Sequence, residues 1–280
     1  MGPLLALASA ACYGVVDFAG GLLSRRVHFA VVTFVGQVGG LLLALVAALV
    51  MSADAVRPVD LLWGTLSGAG SATAMLFLNR GMSRGAMSVV VPVSAVTGVA
   101  LSVLCGVCFL GDRPTALAWL GICVTVPALW LVAGGGPHRG SLRAGGPAPV
   151  DGLLASMGVA VQYIGLAQAD AVSGLWPVAA GRLAAVLVLI PSAWRHAPRF
   201  REPWPRQVQA AGIGAGAALG LILYLLAAQQ QMLAIAVVLA SLYPAIPTLL
   251  GLAVLHEKVT KPQAAGLLGA GAAIVLLTLG

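Results

Sequence analysis

Ten apolar runs, each about as long as a bilayer is thick, occupy nearly all of this 280-residue chain. They lie near 3–24, 30–51, 59–78, 88–110 and 116–134, and again near 150–169, 173–194, 206–227, 233–255 and 263–280. At 1.5 Å per residue, a helix of about 20 residues crosses roughly 30 Å of hydrocarbon. Inside that layer no water satisfies backbone N–H and C=O groups, so spanning runs of this kind are confined to helices. Charged residues make up only 8% of the chain, where a soluble domain carries about a quarter. The expected fold is an all-α membrane protein with ten transmembrane helices.

The two sets of five runs are related. Moving the chain along itself by 145 residues carries Gly121 onto Gly266 and Leu110-Gly111-Asp112-Arg113 onto Leu255-His256-Glu257-Lys258. Gly20 then falls on Gly165 and Thr115 on Thr260. The reading is two repeats, 1–135 and 150–280, joined by a Gly/Pro-rich linker at 136–149. An odd number of spans per repeat makes the second enter the membrane upside down. Loop charge supports this inversion, because Lys and Arg collect on the cytoplasmic side. Arg25, Arg26, Arg80, Arg84, Arg139, Arg143, Arg195, Arg199, Arg201, Arg206, Lys258 and Lys261 share one face, against Arg57 and Arg113 on the other. Both termini are expected on that second, extracytoplasmic side, with the Met1 segment serving as the first membrane helix rather than a cleaved signal.

The same spread of charge excludes nucleic acid as the partner of the net +7, since no basic cluster is interleaved with aromatics. Cys12, Cys105, Cys108 and Cys123 all lie in apolar sequence and read as inert thiols. No partner His or Cys stands near Cys105-x-x-Cys108, so no metal centre is expected, and no cofactor. His28, His138, His196 and His256 fall in or beside loops, without a nucleotide loop or a catalytic set, so the chain does not read as an enzyme. Gly36-x-x-x-Gly40, Gly64-x-x-x-Gly68 and Gly212-x-x-x-Gly216-x-x-x-Gly220 suit close helix packing within one chain, a homodimer being the other arrangement they permit. Pro92, Pro177, Pro244 and Pro247 are candidate hinges.

Polar side chains inside the spans carry the functional reading. The 145-residue shift pairs Asp17 with Gln162 and Gln37 with Arg182, four polar groups in sequence otherwise written for hydrocarbon. Asp17 and Gln37 each sit about four residues, roughly 6 Å, from the middle of their spans toward the same loop. An ionised group at that depth costs several kcal/mol unless it is paired, protonated or facing water, which makes Asp17 and Arg182 functional candidates. Arg182 can be balanced by Asp17, by a substrate carboxylate or by helix-end carbonyls. Asn79, Tyr13, Tyr163, Tyr224 and Tyr243 complete the candidate lining. Asp112 with Arg113 and Glu257 with Lys258 are expected as loop ion pairs that mark the repeat.

Leu-Gly-Asp112-Arg-Pro-Thr with Gly121, its copy Leu-His-Glu257-Lys-Val-Thr with Gly266, and Ser241-Leu-Tyr-Pro244 together resemble the duplicated EamA domain of the drug/metabolite transporter superfamily. The resemblance spans essentially the whole chain. The Asp17-to-Arg26 and Gly174-to-Arg182 stretches are similar to a branch frequent in high-GC actinobacteria. Two departures are Val99 where the second copy has Pro244, and Gly-Asp112 where the family usually has Gly-Glu. The resemblance implies a multi-pass protein of the bacterial cytoplasmic membrane. It implies alternating-access export of a small metabolite, amino acid or drug, with protons as a candidate coupling ion at Asp17. A flippase for a lipid or polyprenyl-linked substrate and a non-transporting membrane scaffold are the other readings.

Overall fold

The computed structural model of the protein describes residues 1–24, 26–83, 94, 98, 101–108, 111–132, 147–240, 242–243, 246 and 261–279. All regular structure among them is helical: α1 (Gly2–Ser24), α2 (Phe29–Val50), α3 (Pro58–Ser83), α4 (Ala116–Val132), α5 (Pro147–Ala167), α6 (Trp176–Arg195), α7 (Trp204–Ala228), α8 (Leu233–Ala240) and α9 (Lys261–Leu279). Residues 101–108 are helical as well. Six of these helices, α1, α2, α3, α5, α6 and α7, are long and apolar enough to cross a membrane. They correspond to the first, second, third, sixth, seventh and eighth apolar runs. Much of the fourth and ninth runs lies outside the described residues, as do Pro92, Pro244, Pro247, Glu257, Lys258 and most of the linker.

Leu42, Val46, Leu49, Leu62 and Leu187 project outward and exposed, as side chains facing lipid do. The seventh span starts later than its hydropathy suggests. Asp170 Oδ1 accepts the Val172 N–H at 3.1 Å and closes a single 3-10 turn, Ala171–Ser173, which ends at Gly174 with φ 53°. α6 then begins at Trp176-Pro177. In that first turn a proline removes no intrahelical hydrogen bond, so Pro177 starts a helix and does not kink one.

Small residues let the helices cross backbone to backbone. Gly36 of α2 meets Gly214 of α7, and Gly68 of α3 meets Gly181 of α6. A Cβ on Gly181 would stand 2.6 Å from the Gly64 carbonyl oxygen, and one on Gly40 would stand 2.9 Å from that of Gly214. The glycine stripes of α2 and α3 are thus used inside the chain. In α7 the crossing residue is Gly214, whereas Gly212 has no neighbour within 4 Å. α1 also lies against α7, α5 against α3, α2 against α6, and α4 against α9.

Polar clasps join loops at both ends of the bundle. At one end the His28 and His196 rings stack with centroids 4.7 Å apart, and Arg80 pairs with Asp151. At the other, Arg57 Nη1 reaches Asp170 Oδ2 at 2.7 Å, and buried Asp60 accepts the Ser173 hydroxyl at 2.6 Å and the Asp170 N–H at 3.1 Å. α1 runs toward the His28 end, and α5, which starts beside Arg80, runs away from it.

Candidate functional site

The polar cluster forms where α1, α2, α3, α6 and α7 converge. Helical spacing explains which side chains arrive together, since residues four apart share a face. Thr33 and Gln37 project from one face of α2, and Ser71, Met75 and Asn79 from one face of α3. A small cavity of about 30 Å³ lies between them, bounded by Asp17, Thr33, Gln37, Met75, Asn79 and Arg182 together with Val16, Val32 and Ile213. That volume accommodates about two waters. The cavity sits in the half of the bundle nearer His28.

At its centre, Arg182 Nη1 donates to Gln37 Oε1 at 2.8 Å, and both residues are almost wholly buried, 2% and 3% exposed. These are the two positions that the 145-residue shift equates, and here they touch. Gln37 Nε2 donates to the Ser71 hydroxyl at a long 3.4 Å, and Asn79 Nδ2 to Thr33 Oγ1 at 2.8 Å. Arg182 Nε is buried without a hydrogen-bond partner. Asp17 lines the cavity half-buried, and among the described residues its carboxylate accepts no hydrogen bond and forms no ion pair. Asp17 therefore shares a cavity with Arg182 without neutralising it. Among the described residues, the guanidinium donors not used by Gln37 and the Asp17 carboxylate remain available to a third party.

One turn further along α1, toward the Arg57 end, the lining changes character. Tyr13 OH accepts from Gln162 Nε2 at 3.2 Å, and the Tyr13 and Tyr243 rings lie 6.4 Å apart. Tyr224 OH donates to the Tyr163 carbonyl at 3.1 Å, with the two rings 4.4 Å apart. Ser9, another turn along, donates to the Gly220 carbonyl at 2.7 Å. All four tyrosines are buried in the main apolar core and do not bound the cavity. The sequence candidates thus divide: Asp17, Gln37, Asn79 and Arg182 converge on the cavity, whereas Gln162 and the tyrosines form a buried cluster beside it.

Thr33, Ser71 and Met75 were not among those candidates. Their signal was the four-residue spacing from Gln37 and Asn79. Asp112 does not pair with Arg113; its carboxylate goes to the backbone N–H of Ala234. No group of three or more His, Cys, Asp or Glu side chains able to hold a metal occurs among the described residues.

A solved structure titled "Crystal structure of protein" shares this fold with a TM-score of 0.74 at 16% identity, covering 99% of this chain and 96% of that one. No curated protein gives a match. The model of the EamA-like transporter family matches the chain twice, over residues 1–134 and 152–279. The two matches together take in nearly every residue, and the chain belongs to the EamA-like transporter family.

Proposed function

We propose that this membrane protein exports a small polar metabolite, amino acid or drug by alternating access, two inverted five-helix halves rocking about the Asp17–Gln37–Asn79–Arg182 cavity. The observation that carries this reading is the Gln37–Arg182 hydrogen bond, which draws equivalent positions of the two halves together inside a polar cavity. Intramembrane charge is costly and is retained where a substrate or ion path needs it. Substrate sites of inverted-repeat transporters lie between the halves, near the midplane.

Three further features support the inverted arrangement. The packing pairs exchange under the repeat: α2 on α7 corresponds to α6 on α3, and α1 on α7 to α5 on α3. α1 and α5, equivalent helices, run in opposite directions. The family model matches once in each half. The charge asymmetry of the loops assigns the His28 end to the cytoplasm of a bacterial cell and the termini to the outside.

In the proposed cycle Arg182 receives an anionic group of the substrate through donors not used by Gln37. Asp17 holds a proton or a substrate cation, since nothing among the described residues balances its charge. The test is transport in proteoliposomes of pooled amino acids, metabolites and cationic drugs, with and without a pH gradient, for wild type, Asp17→Asn and Arg182→Gln. The expected outcome is loss of transport in Arg182→Gln and transport that no longer responds to the gradient in Asp17→Asn. Wild-type behaviour in both variants would make the cluster structural.

A further inference from the structure

We propose that Asp112 is a positioning residue that latches the Arg57 end of the bundle shut, by capping a helix from the other half of the chain. Asp112 Oδ2 accepts the N–H of Ala234 at 2.8 Å across 122 residues of sequence. Ala234 is the second residue of α8, and its N–H is one of the donors that no helix can satisfy internally. A carboxylate there is held by a charge-assisted hydrogen bond and by the positive end of the helix.

The surrounding sequence is built to deliver this one oxygen. Gly111 adopts φ 77°, a left-handed conformation suited to glycine, and turns the chain back so that the Asp112 N–H donates to the Gly106 carbonyl at 3.0 Å. Gly106 leaves the room the carboxylate occupies, because a Cβ there would stand 2.7 Å from Asp112 Oδ2. Gly106 and Gly111-Asp112, the latter of which in sequence only marks the repeat, thus place a carboxylate from the end of the fourth apolar run onto the start of the ninth.

The latch rests on the alternating-access reading. All eight residues of α8 are buried, and the tyrosine cluster lies at the same end, whereas the polar cavity lies toward the other. On that reading this arrangement is the one with the Arg57 end shut, with α8 buried and Asp112 holding Ala234. Opening there moves α8 away from α1, against which it lies, and separates Ala234 from Asp112.

The experiment places spin labels at exposed positions 54 and 230 of the full chain, with Cys12, Cys105, Cys108 and Cys123 replaced by Ala, and reads the distance distribution in lipid nanodiscs. Asp112→Ala removes the cap and is expected to raise the ratio of long to short distances roughly fivefold, the shift that the typical cost of a lost N-cap produces. Asp112→Asn, which keeps an acceptor but not the charge, is expected to shift it about two- to threefold, and carries the test if the alanine variant is not monodisperse. A lower melting temperature with an unchanged ratio would make Asp112 a static cap and overturn the latch while leaving alternation intact. A single distance in wild type and both variants would overturn alternation and latch together.

Discussion

Replacing Gln37 with Leu isolates the energetics of the central pair. The side chain is 3% exposed and, among the described residues, its Oε1 is the only acceptor on the Arg182 guanidinium, 2.8 Å from Nη1, while Nε has none. A hydrogen bond to a charged group contributes about 1.5–3 kcal/mol, and the larger figure applies where the donor cannot turn to water. Leu itself is better suited to the interior than Gln, so without the hydrogen bond the substitution would be neutral or stabilising. Gln37→Leu is expected to cost about 2–3 kcal/mol, on the order of a hundredfold in the folding equilibrium. The double variant Gln37→Leu with Arg182→Met removes the stranded charge and is expected to recover most of that loss, as apolar replacements of buried polar pairs do. Equilibrium unfolding in mixed micelles, run as a double-mutant cycle, measures the coupling directly. Additive effects, or a single variant as stable as wild type, would refute the argument and mean that the guanidinium is solvated through the cavity. The double variant, although stable, is expected not to transport.

Gly181→Ala brings a Cβ within 2.6 Å of the Gly64 carbonyl oxygen and is expected to cost about 1–3 kcal/mol, whereas Gly212→Ala meets nothing within 4 Å and is expected to be neutral or slightly stabilising; thermal unfolding of both checks this. Asp60→Ala strands the Asp170 N–H and leaves the Ser173 hydroxyl only the Ala55 carbonyl at 3.2 Å, and is expected to cost about 1–3 kcal/mol, against at most about 1 kcal/mol for Arg57→Ala, whose partner contact is half exposed. Burial, then His196 and Arg199, hold the His28 imidazole below its ordinary pKa of 6.5, and its Nδ1 accepts the Ala30 N–H in the neutral form. The unfolded chain therefore takes up the proton first, and stability present above pH 6.5 is lost as pH falls below it. His28→Asn keeps a capping oxygen without titrating and is expected to flatten that loss in melting temperatures measured between pH 7.5 and 5.

Much of this molecule is written plainly because the bilayer permits so few solutions. Six helices follow their apolar runs within a few residues, since a backbone in hydrocarbon has no alternative partner. Gln37 and Arg182 fall on equivalent positions under the 145-residue shift, yet the expected partners of Arg182 were Asp17, a substrate carboxylate or helix-end carbonyls, and its hydrogen bond to Gln37 came from the structure. Asp17 with Arg182 could not be resolved, because charge states that both lie inside lipid do not reveal which of several partners lies within 4 Å. Of the α7 glycine stripe, Gly216 and Gly220 pack against Val16 and Tyr13 of α1, whereas the contact with α2 falls to Gly214, outside the stripe. Gly212, Gly214, Gly216 and Gly220 lie along one helix, and spacing alone does not say which of them faces α2. Asp112 was the least legible. Its neighbour Arg113 offered an obvious charge partner, whereas Ala234, its actual partner, carries no polar side chain and contributes only a backbone donor created by a helix beginning there.

A duplicated frame also constrains what the site can be. On the proposed two-fold arrangement, equal residues at positions 37 and 182 would put either two cations or two neutral amides in hydrogen-bond distance at the centre of the membrane. Two guanidiniums there repel each other in a medium of low dielectric, and two amides offer no charge to a substrate. Divergence to Gln and Arg leaves one cation held by a neutral acceptor that does not cancel it. The second unlike pair has separated along the axis instead: Asp17 faces the cavity, while Gln162 is consumed by the Tyr13 hydroxyl in the tyrosine cluster. The cavity with its charged side chains and room for about two waters thereby lies toward one end, and Gln162 with the four tyrosines toward the other. On the proposed cycle these two departures from internal symmetry set which end is favoured, and alternation requires that preference to stay within about a few kcal/mol.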